Sequence, residues 1–440
     1  MNASVLAVLL RPSRGQLSTV VLPVTAFAAV TALILTVVGG AQSFWAWTDE
    51  YAGFYQLFAA IALVLLLLPL ATLGGAAARL SARRRDERLS TLRLLGVSPA
   101  GVAGVTIAES TMLALVGAAA GVIVHLVTSP LIGLIPFRGA PLGTASVVLP
   151  PGQIALVGAG VVLLAAVSAT VALRKVVISP LGVRTRTDAP RMHWLRGVIA
   201  VVVVGAGVLV LQFLPAGGGV AFLVIAIAGV FGAGLAVLNL VGPWAVRVAA
   251  NTQLRRADRT EKLLAARMIL ESPKTAWRHV GGVAMTSFMA VIAGSGVALL
   301  GLASGADLAS RDRELFADIR TGLIITLVAS FVMVAVSVSI NQASDVIDNT
   351  ALHRSLHYLG VPMDAVQRAR RRAVMSPLLV ASIGSAACGA ALVLPLVGLS
   401  LLFAPLSMAT ILGVLVLGVV LVWASTWSTT PLLKKAFAPA

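Results

Sequence analysis

A nucleotide-hydrolysing P-loop needs glycines and a Lys-Ser or Lys-Thr pair, because backbone amides and the lysine together cradle the phosphates. The chain has five lysines, Lys175, Lys262, Lys274, Lys434 and Lys435, and none of them follows a glycine. Nucleotide hydrolysis is therefore not encoded here. No HExxH, GxSxG or repeated Cys-x-x-Cys is present either, so no familiar hydrolase or metal chemistry is in sight. The single cysteine, Cys388, allows neither a disulfide within the chain nor a cysteine-based metal site. His353 and His357 stand at i, i+4, a spacing that presents two imidazoles on one helix face. Only the distant Asp348 or Asp364 offers a third ligand, and solvated interfacial histidines are the simpler reading. Glu109 is the one carboxylate inside a long apolar run, which makes it a candidate for proton coupling or substrate binding. It lies about two turns into that run, within reach of arginines, so structural charge pairing is the competing reading. A proton-coupled antiporter usually needs more buried acids than this.

The elements that hold these residues are membrane helices. Hydrophobic residues make up 59% of the 440 and charged residues 11%, against about 45–50% and about 25% in soluble domains. Ten apolar stretches are long enough to cross a hydrocarbon core of about 30 Å: 20–38, 54–78, 100–127, 153–173, 197–214, 219–246, 280–303, 321–343, 374–402 and 406–427. The first follows Arg11 and Arg14 but is too long for a signal-peptide core, so it is expected to remain as a span. With the amino terminus inside, all of the 33 Lys and Arg except Arg138, Arg311, Arg313 and Arg320 fall on the cytoplasmic side. That bias sets topology. It places both termini in the cytoplasm, and it explains a net charge of +17 through lipid headgroups rather than nucleic acid.

The outer loops are short, the longest being 128–152 and 304–320, and neither can hold a domain with its own core. Trp45 and Trp47 fit an interfacial aromatic belt; a substrate-contacting pair is the alternative. Gly117 and Gly121 form a GxxxG pair suited to close helix packing. The inner segment Arg79–Pro99 carries Leu89, Leu92, Leu94 and Leu95 at near-helical spacing and breaks at Gly96. The same device returns 264 residues later: Leu92, Leu95, Gly96 and Val97 match Leu356, Leu359, Gly360 and Val361. Each copy sits between the second and third spans of a four-span group. The expected architecture is all-α and polytopic, with two parallel four-helix repeats at 1–190 and 263–440 joined by a helix pair at 191–262.

The run RRRDERLSTLRLLGVSPAGVAGVTIAESTMLALVGAAAG at 83–121 resembles the signature of FtsX-like, or MacB-type, ABC-transporter permeases. VVISPLGVRTR at 176–186 is similar to that family's exit from the fourth span. LLAARMILESPKTAWRHVGGVA at 263–284 resembles the lead into the second repeat of ten-span actinobacterial members. The second copy departs from the pattern, with Ala351 in the place of Glu87 and Ala373 in the place of Glu109.

The resemblance implies a bacterial plasma-membrane permease served by a separate ABC ATPase, two copies per permease, much as in BceB-like members. ATP and Mg would be bound by that partner, and no cofactor by this chain. It also implies a coupling role for Glu87, Arg88, Leu92, Arg93, Leu95, Gly96 and Val97, and for Leu356, Tyr358, Leu359, Gly360 and Val361. Apolar side chains would fill grooves in the ATPase while Arg88 and Arg93 supply rim charge. MacB and BceB relatives carry large extracytoplasmic domains, whereas the corresponding loops here, 41–53 and 304–320, are stubs. Substrate is then expected to come sideways from the bilayer. That favours hydrophobic or amphiphilic molecules: antimicrobial peptides, hydrophobic drugs or lipids, with efflux and resistance as the outcome. A non-transporting transmitter between an ATPase and a membrane partner such as a sensor kinase is the alternative.

Overall fold

A computed structural model of the chain describes residues 17–83, 99–178, 195–212, 219–303, 310–348, 355, 358 and 360–427. In hydrocarbon every backbone N–H and C=O must find its partner within the segment, and long apolar runs solve this as helices. The helices are α1 (Leu17–Gln42), α2 (Ala52–Arg83), α3 (Pro99–Gly133), the short α4 (Thr144–Val147), α5 (Pro151–Ile178), α6 (Leu195–Gln212) and α7 (Gly219–Arg255). They continue with α8 (Thr260–Glu271), α9 (Pro273–Ala303), α10 (Ser310–Asp348), α11 (Met363–Leu392), α12 (Leu394–Phe403) and α13 (Pro405–Ser425). Strands β1 (Pro136–Phe137) and β2 (Ala140–Pro141) form one small hairpin. The protein is an all-α, multi-pass membrane protein. Among the described residues, nine helices are long and apolar enough to cross a membrane.

Three expected segments differ from the helices observed. The fifth expected span is α6, whose apolar stretch, Gly197–Val210, is too short to stand among those nine. The ninth, 374–402, is divided: α11 begins earlier, at Met363, and stops at Leu392, and α12 follows. Val393 leaves helical geometry at φ −115° and ψ 37°, and Pro395 sits in the first turn of α12, where its missing N–H has no partner to lose. The expected outer loop 304–320 is helical from Ser310 onward. Arg, Glu, Leu and Ala there are good helix formers, and Asp312 in the first turn complements the helix dipole.

The chain divides into two compact units, Met1–Arg186 with Ser339–Thr350, and Thr187–Val338 with Ala351–Ala440. In the first, α1 and α3 lie against each other along their small residues. A Cβ on Gly117 would stand 2.6 Å from Phe27 Cβ, and one on Gly121 would stand 2.6 Å from the Ala28 carbonyl oxygen. The GxxxG pair is thus the seam between these two helices. One turn further along the seam, the fully buried His125 places Nδ1 3.1 Å from Thr36 Oγ1.

The loops at the far end of this unit close on a knot of rings. Phe44 lies 5.1 Å from both Trp47 and Phe137 between ring centroids, and 5.9 Å from Tyr55. Arg138, at the tip of the hairpin, stacks 3.8 Å over Trp47 and 4.5 Å over Tyr55 and pairs with Asp49 at 2.9 Å. Arg138 and Gly139 have φ of +54° and +71°, as a two-residue hairpin turn with native twist requires. The stacked, paired guanidinium offsets the cost of left-handed backbone at a non-glycine residue. Trp45 and Trp47 therefore part company. Trp45 is exposed, as a belt residue would be, and Trp47 belongs to the knot.

The second unit is organised on α9. Its Phe288 is fully buried, against Gly234 of α7 and Gly389 of α11, where an added Cβ would come within 2.5 Å and 3.4 Å of the ring. Gly418 of α13 receives the ring of Phe331 on α10, and Gly282 of α9 receives Val334. Small polar side chains pin these seams: Thr286 bonds Ser330, Ser287 lies 2.9 Å from Ser382, and Ser400 donates to the Ser295 carbonyl at 3.2 Å. Lipid gives helices no hydrophobic reason to associate, so close backbone approach and short hydrogen bonds carry the packing.

Candidate functional site

The first expected coupling segment, with Glu87, Arg88, Leu92, Arg93, Leu95, Gly96 and Val97, lies outside the described residues, as do Leu356, Leu359, His353 and His357 of the second. What is described of the second segment has a definite form. Ser355 and Tyr358 are helical, and Tyr358 is 85% exposed. Gly360 then adopts φ +79°, the left-handed residue that commonly ends a helix and that glycine takes without strain. Val361 is half-buried, and Pro362 leads directly into α11. Tyr358 is thus a largely exposed aromatic residue two positions before the left-handed Gly360.

This segment stands on a charged base. The first half of α11 carries Arg368, Arg370, Arg371 and Arg372. Opposite lies α8, which buries Ala265, Ala266 and Ile269. Glu261, in the first turn of α8, accepts from Arg368 Nε at 2.7 Å and lies 3.7 Å from Arg372 Nη2. On the other side of α11, the Arg371 guanidinium sits 3.6 Å over the ring of Trp427, and Ser376 donates to Gln253 Oε1 at 3.1 Å. The end of α11 nearest Gly360 is thus tied to α8, to α7 and to Trp427, two residues past α13.

The hydrogen bond from Arg368 holds the Glu261 carboxyl below the ordinary carboxylate range, with charge from Arg368 and Arg372 in support and burial opposing. A depressed folded pKa contributes stability that is complete above the unfolded value, near 4.5, and is lost as pH falls through the folded value beneath it. In hydrogen exchange of the detergent-solubilised protein, residues 260–271 are expected to stay protected from pH 8 to pH 5 and to open on further acidification. Glu261→Gln should show the open behaviour throughout. If the variant exchanged like wild type at neutral pH, the clamp would be ornamental.

Glu109 lies on α3, half-buried, between the buried Thr106 and Ser110. It belongs to the first unit and Tyr358 to the second. Among the described residues, no group of three His, Cys, Asp or Glu is placed to hold a metal.

The order of elements in the first unit is span, basic segment, span bearing an acid, short closed loop, span. Residues 77–181 match the FtsX-like permease C-terminal family. The FtsX-like region begins in the last turns of α2, passes through segment 84–98 and α3, and ends just beyond α5. It supports an ABC-transporter-type permease component, a class of membrane permease that generally is not an enzyme and works with an ABC ATPase. No curated protein and no solved structure matches the chain.

Sequence reasoning missed Glu261 and the helix that carries it. The signal was there in part: Thr260-Glu261 opens a run of good helix formers, and Arg368 and Arg372 stand at i, i+4. What was missing is the pairing, because 107 residues separate Glu261 from Arg368.

Proposed function

We propose that this chain is the membrane-spanning subunit of an ABC transporter and moves a hydrophobic or amphiphilic molecule taken sideways from the bilayer, driven by a separate ATPase dimer. The match of residues 77–181 to the FtsX-like family carries the reading. The basic segment inside that match and the Tyr358 segment are the two docks, one per ATPase copy. Glu87, Arg88, Leu92, Arg93, Leu95, Gly96 and Val97 form the first; Leu356, Tyr358, Leu359, Gly360 and Val361 form the second. The positive-inside bias puts both docks and both termini in the cytoplasm, in a bacterial plasma membrane.

Lateral access is supported by the described loops of the first unit. Residues 43–51 and 134–150 fold into the ring knot and a hairpin, too small to recognise a distant partner. Closure of the ATPases would press Tyr358 toward α11, which would pass the displacement to α8 through Glu261 and to α7 through Gln253. Native mass spectrometry of the co-expressed complex is expected to show two ATPase chains per permease. A one-to-one complex would remove the second dock, and absence of any ATPase complex would remove the reading.

A further inference from the structure

Within the second unit, α6, α7, α9 and α11 enclose an apolar cavity of about 510 Å³, a size that suits a small-molecule or lipid-chain site. Two glycines keep it open. A Cβ on Gly205 of α6 or on Gly384 of α11 would meet no atom within 4 Å, and both residues line the space. One end is closed by Trp277, whose ring lies so close on the α7 backbone that a Cβ on Gly242 would overlap it. Beside α6 the cavity opens toward lipid, where Val201 is 74% exposed.

The polar atoms of the wall are already committed. Trp277 Nε1 donates to Asn239 Oδ1 at 3.1 Å, and Ser385 Oγ donates to the Ser382 carbonyl at 3.1 Å. Cys388 adds only a weak donor. A water needs two to four polar partners to reside in such a space, and a polar ligand needs directional ones. The wall offers neither. What fits is a flexible hydrocarbon chain.

Its depth and its charge say which chain. On α7 the lining runs from Val237 to Ala245 and on α11 from Val380 to Cys388, each about 12 Å at about 1.5 Å per residue. That nearly matches the half-thickness, about 15 Å, of the hydrocarbon core. The buried Trp277 marks the end next to the basic segments. Just past that end stand Arg247 on α7 and the exposed Lys274 and Arg278 on α9, with Glu271, at the end of α8, the nearby acid in sequence. Cations thus gather where a headgroup would lie, and the sign is that of an anionic lipid.

We propose that this cavity holds one acyl chain of an anionic phospholipid from the leaflet on the basic side, with its phosphate toward Arg247, Lys274 and Arg278. Occupancy stands apart from transport and is measured without any ATPase. The full chain is reconstituted in phosphatidylcholine vesicles containing phosphatidylglycerol with a diazirine midway along one chain. After irradiation, peptides are mapped by mass spectrometry. Adducts are expected on the α7 and α11 lining, around residues 237–245 and 380–388. They should fall about tenfold in Gly384→Phe and again in Gly205→Leu, two independent plugs placed where there is room for them. A matched phosphatidylcholine probe should label about tenfold less, and Lys274→Gln with Arg278→Gln should bring the phosphatidylglycerol signal down to that level, as two interfacial cations imply. Labelling that ignores both plugs overturns the site. Equal labelling by the two probes in the wild type overturns the anionic headgroup.

Discussion

Leu92→Glu is expected to strip the ATPase from the permease and abolish permease-stimulated hydrolysis, while the variant still inserts and purifies as a monodisperse protein. Burial of a leucine in a partner's groove is worth about 1.5–3 kcal/mol, which is about ten- to a hundredfold in affinity. A carboxylate in the same groove adds a desolvation cost with no partner to offset it. Arg88→Gln serves as the internal comparison, because a rim charge changes association rate and salt dependence far more than it changes retention. Tyr358→Glu tests the second dock in the same way, and its 85% exposure in the free chain argues against a folding defect as the cause of any loss. Co-purification of ATPase at wild-type stoichiometry with Leu92→Glu would show that the repeated segments are not docks.

The second large effect lies at the seam between α1 and α3. Gly121→Leu should separate α1 from α3 and destabilise the first unit, because its first added atom already meets the Ala28 carbonyl at 2.6 Å and Thr31 Cβ at 2.7 Å. Those neighbours belong to a helix backbone and to a fully buried side chain, so neither can give way cheaply. Overpacking of this kind costs about 1–3 kcal/mol at one position. Gly160→Leu on α5 is the control, since a Cβ there meets nothing within 4 Å. Thermal unfolding followed by size-exclusion in detergent should show a clear loss of folded protein for Gly121→Leu and none for Gly160→Leu. Equal behaviour of the two would mean that α1 and α3 do not rely on this seam.

Much of this was legible in the amino-acid order. Apolar runs of span length leave the backbone no partner but itself, so helices and their approximate places follow from those runs. The Gly117–Gly121 seam was legible for the same local reason: two small residues one turn apart create a groove, whatever fills it. The likeness of segment 83–121 to FtsX-like permeases was also carried by contiguous residues, and the family match at 77–181 spans them. Boundaries were less secure. Residues 310–320 carry charge and so resemble a loop by hydropathy, yet their helix propensity extends α10 through them.

What only the tertiary structure decided are relations between residues far apart in the chain. Arg138 could be counted as one of four basic residues outside, but its place over Trp47 and Tyr55 depends on a hairpin closing against a turn 89 residues earlier. Glu261 was one acid in a basic stretch until α11 set Arg368 and Arg372 against it. Cys388, Gly205, Gly384 and Trp277 come from three helices, and nothing in their order connects them. Together they bound a space. Local chemistry fixes what a segment is, since its backbone answers to its own side chains and solvent. Where two segments meet depends on which small residues and hydrogen-bonding pairs coincide across the seam, and that coincidence exists only once the helices are packed.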